Sequence, residues 1–122
     1  MEIKKSIQLT AEPLSSLIEK GESIDFRLDS NVWSDLREGD HIEFWEDFTG
    51  WQTEPADSAR RMLVKILKIY KAPTFKELFE VIEKHVTTLG DKDNLLHGLR
   101  GWWSEDKETE EGALAFHVSV VE

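Results

Sequence analysis

The chain has no cysteine, only three prolines and a single tyrosine in 122 residues. The missing cysteine excludes a disulfide framework, which fits a reducing compartment. None is needed at this length, because one domain of this size buries roughly two thirds of its unfolded surface. Long apolar runs are also missing. The richest, Met62 to Tyr70, is interrupted by Lys65 and Lys68, so no transmembrane helix is expected. The first ten residues, MEIKKSIQLT, lack the apolar stretch of a secretory signal. The expectation is a soluble, cytoplasmic protein without a membrane partner. Positive charge is the scarcer sign: 15 Lys and Arg stand against 25 Asp and Glu, for a net charge of -10. Such a chain repels a polyanion, which excludes a broad nucleic-acid-coating role but leaves room for a small pocket reading one nucleotide. There is no glycine-rich phosphate loop and no G-x-S-x-G elbow. His41, His85, His97 and His117 have no metal-ligand spacing, and no cysteine assists them. No metal and no cofactor is expected.

What the chain does have is concentrated in residues 21–44, GESIDFRLDSNVWSDLREGDHIEF. Ile24, Phe26 and Leu28 alternate with Asp25, Arg27 and Asp29, the period of a strand with one apolar face. Asp25 and Arg27 therefore project from the same side. A glycine-closed turn at Glu38-Gly39-Asp40 leads into a second strand, His41 to Trp45. Asp40 reads as a turn residue rather than a catalyst.

The rest of the chain is punctuated in the same way. Ile7 and Leu9 suggest a short first strand. Ala11 to Lys20 reads as a helix with Leu14, Leu17 and Ile18 on one face, Thr10 as N-cap and Gly21 as its stop. Residues 48–59 carry no periodicity and read as a long loop. Residues 61–71 are apolar on both sides, as in a central strand. Thr74 with Glu77 forms a capping-box start for a helix to about His85. Asn94 to Trp103 predicts a short helix broken at Gly98 and Gly101, and the acidic run 104–111 predicts a second mobile loop. A last strand runs from Ala113 to Val121. About five strands with three helices inserted between them make an α+β domain over residues 1–122, closed as a small mixed β-barrel.

Several segments together resemble the ASCH domain family of the PUA-like superfamily. They are Leu17-Ile18-x-x-Gly21, Asp25-Phe26-Arg27-Leu28, Leu36-x-x-Gly39-Asp40-x-Ile42-x-Phe44, Val64-x-Ile66-x-x-Ile69-Tyr70-Lys71 with Phe75-x-x-Leu78, and the closing Gly112-Ala113-Leu114-Ala115-Phe116. The resemblance implies a PUA-like β-barrel and an RNA-associated or nucleotide-binding module with a cleft beside the charged strand. Some members are amidohydrolases of acetylated cytidine that use a lysine. This chain departs from their pattern. Anchored on Arg27, Glu22 falls where the lysine is expected; anchored on Gly21, Ser23 does.

The candidate ligand-binding residues are thus Glu22, Ser23, Asp25 and Arg27, together with Trp33, Trp51 and Trp102. A guanidinium can donate to a phosphate or a base edge, and a carboxylate can accept from an exocyclic amine. The alternative for Asp25 and Arg27 is a structural ion pair, worth little if exposed. Tryptophans at a cleft mouth can stack on a base, or they can plug the ends of a barrel. The basic residues Arg60, Arg61, Lys65, Lys68 and Lys71 form a local concentration, equally readable as a solvated strand face. Three functions remain open: a module binding a nucleotide or single-stranded RNA; a hydrolase of modified nucleosides or RNA with Glu22 or Asp25 as general base; and an adaptor whose acidic surface meets a protein partner. The oligomeric state is left open.

Overall fold

A computed structural model describes residues 2–85 and 90–121. The described residues form a mixed α+β fold built on one five-stranded sheet with four helices. In chain order the elements are β1 (Ile3–Thr10), α1 (Ala11–Lys20), β2 (Glu22–Leu28), β3 (His41–Asp47), β4 (Arg61–Ala72), α2 (Phe75–Glu83), α3 (Lys92–Arg100), α4 (Glu105–Glu111) and β5 (Ala113–Val120). One turn of 3-10 helix, Asn31–Trp33, follows β2. The strand order is β1-β3-β4-β5-β2, with β1 parallel to β3 and β3 antiparallel to β4. The two-sided apolar pattern of β4 matches its middle place in that order.

The helix boundaries follow from local chemistry. Gly21 adopts φ +80, and its N–H donates to the Leu17 carbonyl at 2.8 Å, ending α1 in the left-handed conformation that favours glycine. Thr10 occupies the N-cap position with extended backbone but makes no side-chain cap bond. The Thr74 hydroxyl does cap α2, accepting from the Glu77 N–H at 3.2 Å. Helix α3 begins two residues earlier than the pattern predicts, because the Asp91 carboxylate accepts from the Asn94 N–H. It runs through Gly98 without a break and stops at Gly101.

The acidic segment 104–111 is the main correction to the sequence reading: it is a helix rather than a loop. The Ser104 hydroxyl accepts from the Lys107 N–H, and Glu105 and Asp106 stand in the first turn, where the helix dipole favours negative charge. Glu108 is buried, only 5% exposed.

The chain divides into two compact units. The first gathers Met1–Ile24, Leu36–Lys68 and His117–Glu122. Here α1 packs on β1 and β3, and Leu14, Leu17, Ile42, Phe44, Val64 and Ile66 are fully buried. The 36–40 turn is held from both ends, with Gly39 donating to the Ile66 carbonyl and Ile66 donating to that of Asp40. The Asp40 carboxylate accepts from the Arg37 N–H, so it serves the turn as expected.

Two buried carboxylates at the end of β3 organise this unit. Glu46 pairs with Arg60 at 2.7 Å, and the same guanidinium nitrogen donates to Ser15 Oγ at 2.9 Å. The hydrogen bond from Arg60 to Glu46 holds the Glu46 carboxyl below its ordinary range. Burial alone would raise the Asp47 carboxyl, but the N–H groups of Gly50, Thr49 and Gln52 outweigh it and hold the group low. The start of the 48–59 loop is therefore pinned to Asp47 instead of hanging free.

Both folded-state pKa values are depressed, so the stability they contribute is present above the ordinary carboxylate pKa of about 4 and is lost as pH falls through the lower folded values. Asp47→Asn should lower stability at neutral pH and shrink the stability difference between pH 7 and about pH 3. Urea unfolding at the two pH values checks this; an unchanged difference would contradict it.

Candidate functional site

The second unit gathers Asp25–Asp35 and Ile69–Phe116. Strand alternation puts Ser23, Asp25 and Arg27 on one side of β2 and Glu22, Ile24 and Phe26 on the other. The Arg27 Nε donates to Asp25 Oδ2 at 2.8 Å, and its Nη2 lies 3.5 Å from Oδ1. The side chains are only 15% and 10% exposed, so this fork is shielded in a way that a surface ion pair is not. The Arg27 guanidinium carbon stands 5.6 Å from the centroid of Trp33, a cation–π arrangement. Trp33 in turn meets buried Phe116 edge-on at 6.0 Å.

Trp33 reaches this place because the chain bends after β2. The Asp29 N–H donates to the Gly112 carbonyl at 3.0 Å, and the single 3-10 turn that follows is closed by Trp33 N–H to the Ser30 carbonyl. Gly112 itself adopts φ +84, and its N–H closes α4 on the Glu108 carbonyl at 2.7 Å. One glycine thus ties the end of α4 to the segment after β2.

The other wall is held from α3 and α4. Buried Glu108 accepts from Arg100 Nη2 at 2.7 Å and from the Phe75 backbone N–H at 2.8 Å. Arg100 also donates to the Trp103 carbonyl, and the Trp103 ring stacks on Phe75 at 6.0 Å. The side chain of Glu111, one turn beyond Glu108 on α4, makes no hydrogen bond or ion pair among the described residues.

These residues enclose an open pocket of about 230 Å³ lined by Arg27, Leu28, Ser30, Trp33, Trp103 and Glu111, all from the second unit. It is smaller than the roughly 300–1,000 Å³ of drug-sized ligand sites. A planar ring system suits it better than a large ligand.

Of the residues expected from sequence, Asp25, Arg27 and Trp33 come together here. Glu22 and Ser23 belong to the first unit, and Glu22 is 62% exposed, with its carboxylate 3.7 Å from His117 Nε2. Trp51 is 79% exposed on the first unit's loop, and Trp102 is 57% exposed. Neither lines the pocket. The tryptophan that does is Trp103, one residue along. Leu95, Leu99 and Trp103 recur at four-residue intervals, and the Trp103 N–H continues the helical pattern past α3 by donating to the Leu99 carbonyl, a spacing signal that separates Trp103 from Trp102. Glu111 was hidden inside the acidic run read as a loop.

The basic concentration is largely neutralised. Arg60 pairs with Glu46, Arg61 with Glu43 at 3.0 Å and Lys71 with Asp29 at 3.6 Å. Among the described residues, no three His, Cys, Asp or Glu side chains gather as a metal site. Among them, too, no helix is long and apolar enough to cross a membrane.

No family model matches this chain, and no curated protein matches it. Solved structures share its fold, two of them as follows. The crystal structure of hypothetical protein PH0355 superimposes with a TM-score of 0.68 at 22% identity, over 96% of this chain and 98% of that one. The solution NMR structure of protein PF0455 from Pyrococcus furiosus gives 0.59 at 19% identity, over 97% and 98%. Likeness at this identity extends to the fold alone.

The buried Glu108 is the joint of the Trp103 wall. Glu108→Ala removes the acceptor of two hydrogen bonds and leaves the Phe75 N–H and Arg100 without it, which should cost about 1–3 kcal/mol in urea unfolding. The exposed Glu105→Ala should change stability by less than about 0.5 kcal/mol. Equal effects would contradict this role for Glu108.

Proposed function

We propose that this chain is an ASCH-type module with a PUA-like barrel that binds a nucleotide, or an unpaired base of single-stranded RNA, in the pocket beside β2. One observation carries the reading: two indoles, Trp33 and Trp103, line the same small pocket as an arginine braced by a carboxylate. Indole faces stack on any base, and a planar guanidinium complements a base or phosphate.

The charge of the pocket refines this. Asp25 offsets Arg27, and Glu111 adds one further negative charge, so a phosphate gains little here. Binding rests on the base, with the sugar–phosphate toward solvent. That reconciles a nucleotide site with a chain of net charge -10. An alkylammonium ligand would also suit indoles and a carboxylate, but the Arg27 guanidinium in the same wall repels it. The base-binding reading is favoured over the hydrolase alternative because Asp25 already accepts from Arg27.

Intrinsic tryptophan fluorescence with nucleoside monophosphates and short single-stranded RNAs tests the reading. Trp33→Ala should weaken binding roughly five- to a hundredfold, as expected for losing about 1–3 kcal/mol of stacking. Trp51→Ala and Trp102→Ala should leave affinity unchanged, and affinity should depend only weakly on salt. Binding that survives Trp33→Ala, or that collapses with modest salt, would refute the pocket as the site.

A further inference from the structure

Glu111 is the odd carboxylate of the second unit. The others near it are committed: Asp25 to Arg27, Asp29 to Lys71, and Glu108 to Arg100 and the Phe75 N–H. Glu111 lines the pocket, is half-buried, and has no such partner among the described residues. In the empty pocket, water can satisfy it. An occupant seated against Trp33 and Trp103 displaces some of that water, and a half-buried carboxylate left without donors is penalised. An occupant that brings N–H groups to Glu111 is therefore favoured.

The bases differ sharply in what they can bring. Guanine presents N1–H and the N2 amino group side by side, two parallel donors matched to the two oxygens of one carboxylate. Adenine places its N6 amino group beside the N1 lone pair, and cytosine its N4 amino group beside N3. Each therefore donates once and sets a lone pair against the carboxylate. Uracil has a single N3–H flanked by two carbonyl oxygens. Proteins that take up splayed-out bases commonly read this Watson–Crick edge.

We infer that Glu111 makes this pocket selective for guanine. The inference rests on the base-binding reading above and adds to it the identity of the base. The guanine can come from a free guanosine nucleotide or from an unpaired position in RNA, since the edge read is the same.

Titration calorimetry with GMP, IMP, AMP, CMP and UMP on the intact chain tests it, with uridine hexamers carrying one central G or one central A as a second arm. GMP should bind roughly ten- to a hundredfold tighter than AMP or CMP. IMP, which keeps N1–H and lacks the N2 amino group, should fall between them, a comparison that needs no variant. Glu111→Gln places an amide N–H beside its carbonyl, so it should lose most of the GMP preference and gain on AMP and CMP. Tighter binding of the G hexamer than of GMP assigns the guanine to RNA; the reverse assigns it to the free nucleotide, and guanine selectivity stands in both cases. Nucleotides bound without guanine preference, or with the same ranking in Glu111→Gln, overturn the inference while sparing the base pocket. Failure of every nucleotide and hexamer to bind overturns both.

Discussion

The pocket depends on the pairing of β2 with β5, which continues past the strand ends as a hydrogen bond from the Asp29 N–H to the carbonyl of Gly112. Its two ends belong to segments far apart in sequence. On one side lie Arg27, Leu28, Ser30 and Trp33; on the other lies Glu111 at the end of α4. Gly112 can make this joint because at φ +84 its N–H turns back to close α4 while its carbonyl faces Asp29. An L side chain there would be strained by the backbone conformation itself. A glycine required by backbone geometry thus brings these side chains together.

Within each unit the excess acid is put to specific use. Glu46, Asp47 and Glu108 are buried, and each accepts hydrogen bonds from backbone or arginine groups. Glu46 and Asp47 tie the 48–60 segment to β3, and Glu108 ties the start of α2 and the end of α3 to α4. Two arginines, Arg60 and Arg100, are engaged in this way. What reaches the pocket is an arginine already balanced by Asp25 and flanked by aromatic rings, a setting that favours stacking and directional hydrogen bonds over long-range attraction.

Much of this was legible in the sequence where a local rule decides the outcome. Gly21, the Thr74–Glu77 cap and the alternation around Asp25 and Arg27 each set structure within a few residues, and the structure follows them. Misses arose where a distant partner decides. The run 104–111 looked like a solvated loop, because nothing local shows that Arg100 and the Phe75 N–H lie within reach of Glu108. Trp102 and Trp103 are adjacent, and only the position of the α3 stripe tells which one meets Phe75. Glu22 and Ser23 came from matching a family pattern, yet Glu22 sits on the opposite side of β2 from Arg27. Five strands and the mixed α+β class were within reach because strand alternation and helix caps are short-range signals.

The central claim is that a base enters the pocket shared by Trp33 and Trp103, and the five indole N–H resonances report on it directly. In proton–nitrogen correlation spectra recorded during titration with GMP, the indole signals of Trp33 and Trp103 should shift together and saturate with one affinity. Those of the exposed Trp51 and Trp102 should stay in place. Shifts confined to Trp51 or Trp102, or no shift of Trp33 and Trp103 at saturating ligand, would contradict the account.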